Sequence, residues 1–141
     1  MTPNTEFTHD VFISYRRVEP DLSWVREHLL PALKACGLKP FIDEVDFILG
    51  EPLVKELERG VTCCRYTLAV MTPAYQQSAW VEMESLMAQH LGIEQSTRRL
   101  IAVMREPCDP PLRIRFSLWL DMTNDSQFDA QIARLCTSLK T

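Results

Sequence analysis

Glycine is scarce in this chain: four among 141 residues, at positions 37, 50, 60 and 92. Neither GxxxxGK nor GxGxxG can be assembled from them, which excludes a P-loop and a glycine-cradled dinucleotide site. Positive charge is not in excess either. Fifteen basic against nineteen acidic side chains leave a net charge of −4, the wrong balance for a general nucleic-acid binder. Long apolar runs are missing: none reaches the roughly 18 residues of a membrane span, and the opening MTPNTEFTHD has no signal-peptide core. A cytoplasmic chain engaging neither nucleic acid nor membrane is the expectation. Cys36, Cys63, Cys64, Cys108 and Cys136 form no CxxC pair, and His9, His28 and His90 show no HxxxH spacing. Metal catalysis therefore has no support, and the cysteines read as buried free thiols.

What is present is an ordinary globular balance, 46% apolar and 24% charged. A chain of this size forms one domain and buries on the order of 70% of its unfolded surface. Five short apolar runs read as strands: Asp10–Tyr15, Leu38–Ile42, Tyr66–Met71, Leu100–Met104 and Ser117–Met122. Helical spacing fills the intervals. Leu22, Val25, Leu29, Leu33 and Cys36 mark a first helix that Pro31 should kink or divide. A second runs from Glu51 to Thr62, with Pro52 in its first turn and Leu53, Leu57 and Val61 on one side. A third covers Ser78–Ile93, and a last one about Ser126–Leu139.

Strands alternating with helices predict an α/β fold, a parallel sheet covered on both faces. Five strands in so short a chain favour the flavodoxin-like order 2-1-3-4-5. Its ligand crevice lies beyond the carboxyl ends of strands one and three. Those ends are Ser14-Tyr15-Arg16-Arg17 and Met71-Thr72-Pro73. The third strand ends without an aspartate, which removes the phosphorylated receiver domain. Arg16 and Arg17 offer fork-shaped donors for phosphate, although two arginines after a strand are equally an ordinary solvated loop.

The helix Ser78–Ile93 carries an anomaly. At about 100° per residue, Trp80, Met83, Met87 and Leu91 form an apolar stripe about 80° wide, and the carboxylate of Glu84 falls with them. Glu82, Ser85 and Gln89 occupy the opposite, polar face. A carboxylate in that stripe is either a structural ion-pair partner, for Arg16 or Arg105, or a functional group.

Three segments in order, HDVFISYRR, GLKPFIDEVDFILGEPLVKELERGV and PAYQQSAWVEME, are similar to the first box, the BB loop with its flanking strand and helix, and the WxxxE segment of Toll/interleukin-1 receptor (TIR) domains. The resemblance covers nearly the whole chain: residues 1–9 read as an extension and 10–141 as the domain. The SYRR and FID stretches particularly resemble the NAD+-cleaving members of the family, bacterial and axon-degeneration-type. The resemblance implies that Glu84 of WxxxE is catalytic and that Trp80 walls the site. It also implies substrate contacts from Ser14, Tyr15, Arg16, Arg17, Asp43, Ile48 and Gly50. NAD+ enters as substrate, and no cofactor is implied.

One carboxylate suffices for that chemistry. An ordinary glycoside needs a second carboxyl group to protonate the leaving oxygen. In NAD+ the nicotinamide is already a pyridinium and departs neutral, leaving a ribosyl cation that an anion can stabilise. TIR domains also commonly work by assembling, and Val45, Phe47 and Leu49 of the BB loop form the expected self-association surface. Where the family commonly has arginine before the loop aspartate and proline before its glycine, this chain has Val45 and Leu49. The expected products are nicotinamide and ADP-ribose or a cyclic isomer, and further domains in a longer parent chain are expected. The alternative is a non-catalytic adaptor acting through TIR–TIR assembly alone. A nucleoside deoxyribosyltransferase-like enzyme fits the FISYRR and BB-loop segments less well.

Overall fold

The computed structural model describes residues 7–111 and 119–140, the side chains of 93, 94, 96 and 97 aside. Five parallel strands lie in the order β2-β1-β3-β4-β5: β1 His9–Ser14, β2 Pro40–Phe41, β3 Cys64–Met71, β4 Leu100–Met104 and β5 Leu120–Asp121. This is the flavodoxin-like order expected from the alternation of apolar runs. The fifth strand is shorter than predicted, and residues 117 and 118 of that run lie outside the described residues.

The strands are buried on both faces, and their side chains alternate between two layers. Val11 and Ile13 of β1 join Leu68, Val70 and Val103 in one core. Over it pack α1 (Asp21–Trp24), α2 (Leu30–Ala35) and α7 (Phe128–Leu139). Phe12 points the other way, into a second core with Phe41, Leu57, Val61, Met83 and Met87. This layer is covered by α4 (Leu53–Cys63) and α6 (Trp80–Arg99). Gly60 allows that close fit: a Cβ there would stand 2.9 Å from the Phe12 ring.

The first helix is divided near Pro31, as expected, and Pro31 stands in the first turn of α2. A π-helical turn, Val25–Leu29, joins α1 to α2, and Leu30 N donates back to Val25 O. Such widened turns are a usual answer to a lost backbone donor. The helix expected at Ser78–Ile93 differs at both ends. Ser78 closes a separate short helix, α5 (Pro73–Ser78), whose amide at Tyr75 is capped by Thr72 Oγ1 at 3.1 Å. Beyond it α6 continues to Arg99, with a break in its dihedrals at Gly92 (φ 79°, ψ 167°).

The cysteine expectation is corrected. Cys36, at the end of α2, and Cys136, on α7, form a disulfide with Cα atoms 6.4 Å apart, inside the usual bridging range. The packing of α2 against α7 brings together residues 100 positions apart, which sequence spacing cannot reveal. Cys63, Cys64 and Cys108 are free thiols, and burial pushes the Cys64 thiol well above its ordinary range. Among the described residues no helix is long and apolar enough to cross a membrane.

Candidate substrate cleft

At the carboxyl end of β1 the chain turns outward between the two strands where the winding reverses. Ser14 is buried, and its hydroxyl shares a 2.7 Å hydrogen bond with the phenol of Tyr75. Tyr15 donates to Asp43 Oδ1 at 2.8 Å. Burial first, and then the Asp43 carboxylate, raise the Tyr15 hydroxyl far above its ordinary range, so it stays a donor. Arg17 Nη1 stands 3.6 Å from Asp43 Oδ2, and its guanidinium lies 5.8 Å from the centre of the Phe47 ring.

Asp43 opens a short helical turn, α3 (Asp43–Asp46), at the start of the BB loop. That turn is held on three sides. Arg26 of the π-helical turn donates to Glu44 through Nε at 3.0 Å. Asp46 Oδ2 accepts from Ile42 N at 2.8 Å. Arg59 of α4 donates to the Asp46 carbonyl while its ring neighbour is Phe41, 4.9 Å away. Glu56 then ties down the next residue, accepting from Ile48 N at 2.8 Å and from Arg59 at 2.7 Å. The hydrogen bond from Arg59 is the main cause that lowers the Glu56 carboxyl below its usual range. The first half of the loop is therefore fixed before any ligand arrives.

Between this loop and α6 lies a small cleft of about 40 Å³. Ser14, Tyr15, Arg17 and Asp43 line one side, with Phe47 at the edge; Ala79, Glu82 and Met83 line the other. Four of the expected site residues are thus brought together. The others are not in the cleft. Arg16, next to Arg17, does not line the cleft and contributes a favourable charge to Asp21. Ile48 borders a separate groove with Lys55, Glu58 and His90, and exposed Gly50 turns the loop at φ 91°, a conformation that favours glycine.

Trp80 and Glu84 sit on the far flank of α6. Trp80 is buried against Tyr75, with ring centres 6.3 Å apart, and packs with Met71, Ala102 and Trp119. Glu84 follows it one turn later and is half-buried. The buried arc of α6 runs through Leu86, Met83, Met87 and Trp80, so Glu82 and Glu84 stand at its two opposite edges. Sequence periodicity placed Glu82 on the solvated face; only the position of the BB loop shows that this edge borders a cleft.

Past the carboxyl end of β3, Asp21 is 3% exposed and accepts from Thr72 Oγ1 at 3.1 Å. Burial is the largest influence on its carboxyl and raises the pKa, against the Thr72 hydrogen bond. A raised carboxyl favours the protonated folded form, so the contribution of Asp21 to stability is present at low pH and is lost as pH rises through the folded pKa. Asp21→Asn, which imitates the protonated acid, is expected to melt above wild type at neutral pH. That advantage should close as pH falls towards about 4, near the ordinary carboxylate value. Thermal melts of both proteins across this range decide it; a constant difference removes the explanation.

A family model described as "TIR domain" matches residues 11–136. The chain belongs to the TIR domain family. Among the relatives of this TIR domain, mouse Toll-like receptor 6 is 28% identical over 96 residues, covering 68% of this chain and 12% of the receptor. The NAD(+) hydrolase TcpA of Theionarchaea archaeon is 30% identical over 81 residues, 57% of this chain and 24% of the hydrolase. The chain therefore spans only a small part of the length of the curated relatives it matches. The TIR domain of a Toll-related receptor from Hydra magnipapillata superimposes with a TM-score of 0.78 at 20% identity, over 95% of this chain and all of that one. That likeness establishes the shared fold.

Proposed function

We propose that this TIR domain cleaves the bond between nicotinamide and ribose in NAD+, releasing nicotinamide and ADP-ribose or a cyclic isomer. We further propose that it acts in assemblies with other TIR domains, as an immune or cell-death signalling module. The observation that carries the reading is the cleft at the end of β1. It gathers a guanidinium, a phenol donor and two carboxylates beside an aromatic ring, at the position where this topology takes ligands. The hydrolase among its relatives supports the choice of substrate.

The chemistry asks little of the protein. The C1′–N bond breaks with its electron pair passing to the pyridinium nitrogen, so nicotinamide leaves neutral and C1′ is left as an oxocarbenium-like centre. Water adds to C1′ and gives its proton to solvent, or a hydroxyl of the substrate itself adds and closes a ring. An anion near C1′ lowers the barrier, and Glu84 is the carboxylate that the WxxxE correspondence assigns to this role. Arg17 holds the pyrophosphate, and Phe47 offers a face for a base or pyridinium ring.

Purified domain incubated with NAD+, free and clustered on a surface, tests the reading by nicotinamide release. Release that appears and depends on Glu84 supports it. No release at any density returns the domain to the adaptor role, acting through assembly alone. The two arginines separate in the same assay series. In the Glu84→Gln background, Arg17→Ala is expected to weaken NAD+ binding about tenfold or more, the scale of a lost charge-assisted contact. Arg16→Ala should leave affinity within about twofold, since that residue does not line the cleft. Equal affinities in all three proteins remove Arg17 from the site.

A further inference from the structure

We infer that Glu82, which the WxxxE correspondence leaves unassigned, is a substrate-contacting carboxylate of the cleft; this rests on the NAD+-cleaving reading above. Three charged side chains line the cleft: Arg17, Asp43 and Glu82. Asp43 is already engaged on both oxygens, by the Tyr15 hydroxyl at 2.8 Å and by Arg17 at 3.6 Å. Glu82 makes no hydrogen bond or ion pair among the described residues. Glu82 is exposed and lines the cavity with both oxygens uncommitted among the described residues. With one cation and two anions the lining carries a formal charge of −1, which suits a ligand whose reacting part is a cation.

Position strengthens the case. Glu82 lies in the first turn of α6. Glu82 enters the cleft between Ala79 and Met83, from the helix side opposite Arg17 and Asp43. A dinucleotide with its pyrophosphate on Arg17 would therefore meet Glu82 with a more distant part of the molecule. The group there with matching chemistry is the nicotinamide-bearing ribose: its hydroxyls donate to a carboxylate, and its ring becomes positive as the C1′–N bond breaks. Glu82 there accepts from a ribose hydroxyl and adds negative charge beside the ring. Glu84 stands about 200° further round the helix, at the other edge of the buried arc.

The test compares wild type with Glu82→Ala, Glu82→Gln and Glu84→Gln, using NAD+ and an NAD+ analogue lacking the 2′-hydroxyl of the nicotinamide ribose. Glu82→Ala and Glu82→Gln are expected to lower kcat/KM for NAD+ at least tenfold. Removing the hydroxyl should cost wild type severalfold but cost Glu82→Ala much less, because the partner is already gone. A purely structural role would leave both proteins equally sensitive to the analogue. Unchanged kcat/KM in both Glu82 variants, with an active wild type, overturns the assignment. Where wild type releases no nicotinamide the cleavage reading fails, and NAD+ titration of wild type against Glu82→Ala then decides Glu82 separately. Weaker binding by the variant supports the contact. Equal binding, or none by either protein, removes it.

Discussion

Nicotinamide release by the Glu84→Gln protein is expected to fall by about a hundredfold or more, the size of effect seen when one electrostatic contact to a transition state is removed. Glutamine keeps the volume and one acceptor oxygen, so the loss measures charge at the ribosyl centre and little else. The structure gives this experiment a sharper edge than the motif alone. Two carboxylates leave α6 on opposite sides of its buried arc, Glu82 into the cleft and Glu84 onto the half-buried flank beside Trp80. A fall in kcat with Glu84→Gln and a weaker, KM-weighted effect with Glu82→Gln would give Glu84 the chemistry and Glu82 the ribose. A hundredfold fall confined to Glu82→Gln would place both roles on the cleft-facing residue and withdraw Glu84. Circular dichroism of both variants should match wild type, since neither side chain is fully buried.

The framework of that site was legible in the residues for plain reasons. Strands buried on both faces are near-continuous apolar runs, so DVFISY and YTLAVM could hardly be anything else, and strand order followed from their alternation with helices. The crevice then followed from topology, and Tyr15, Arg17 and Asp43 do meet there. What the residues could not show was anything set by the meeting of distant elements. Arg16 and Arg17 are adjacent and chemically identical, yet only Arg17 lines the cleft and pairs with Asp43. Cys36 and Cys136 pair because α2 lies on α7. Glu82 looks like a solvated helix residue until the BB loop is placed opposite it.

The BB loop shows the same division, and it changes the second large prediction. Of the three apolar residues expected to face a neighbouring copy, Phe47 turns inward, 6.0 Å from Phe41 and 6.4 Å from Phe12 between ring centres, and edges the cleft. Val45 is 74% exposed and Leu49 99% exposed. Ile48, Leu53 and Val54 extend the exposed apolar surface along the start of α4. Glu56 and Arg59 hold this surface out by fixing the backbone beneath it, so it does not collapse onto its own domain. Covering a few such side chains contributes roughly 1.5 to 3 kcal/mol each at full burial. Association of free domains costs a comparable amount or more in lost translational freedom. The balance favours monomers in dilute solution and contact once domains are held close together.

Activity per molecule is therefore expected to rise with protein concentration or on a clustering surface. Val45→Asp combined with Leu49→Asp should abolish that rise, because a charge at either position would have to be desolvated in the contact. The double variant should keep the melting temperature of wild type, since both side chains are exposed in the single domain. Phe47→Asp is the wrong probe for this purpose: it would strip an aromatic from the second core and disturb the cleft itself. Nicotinamide release measured from dilute to clustered conditions separates the possibilities. A rise in wild type that the double variant lacks ties catalysis to contacts through this surface. The same rise in both moves the contact elsewhere on the domain, and flat specific activity in both removes assembly from the mechanism.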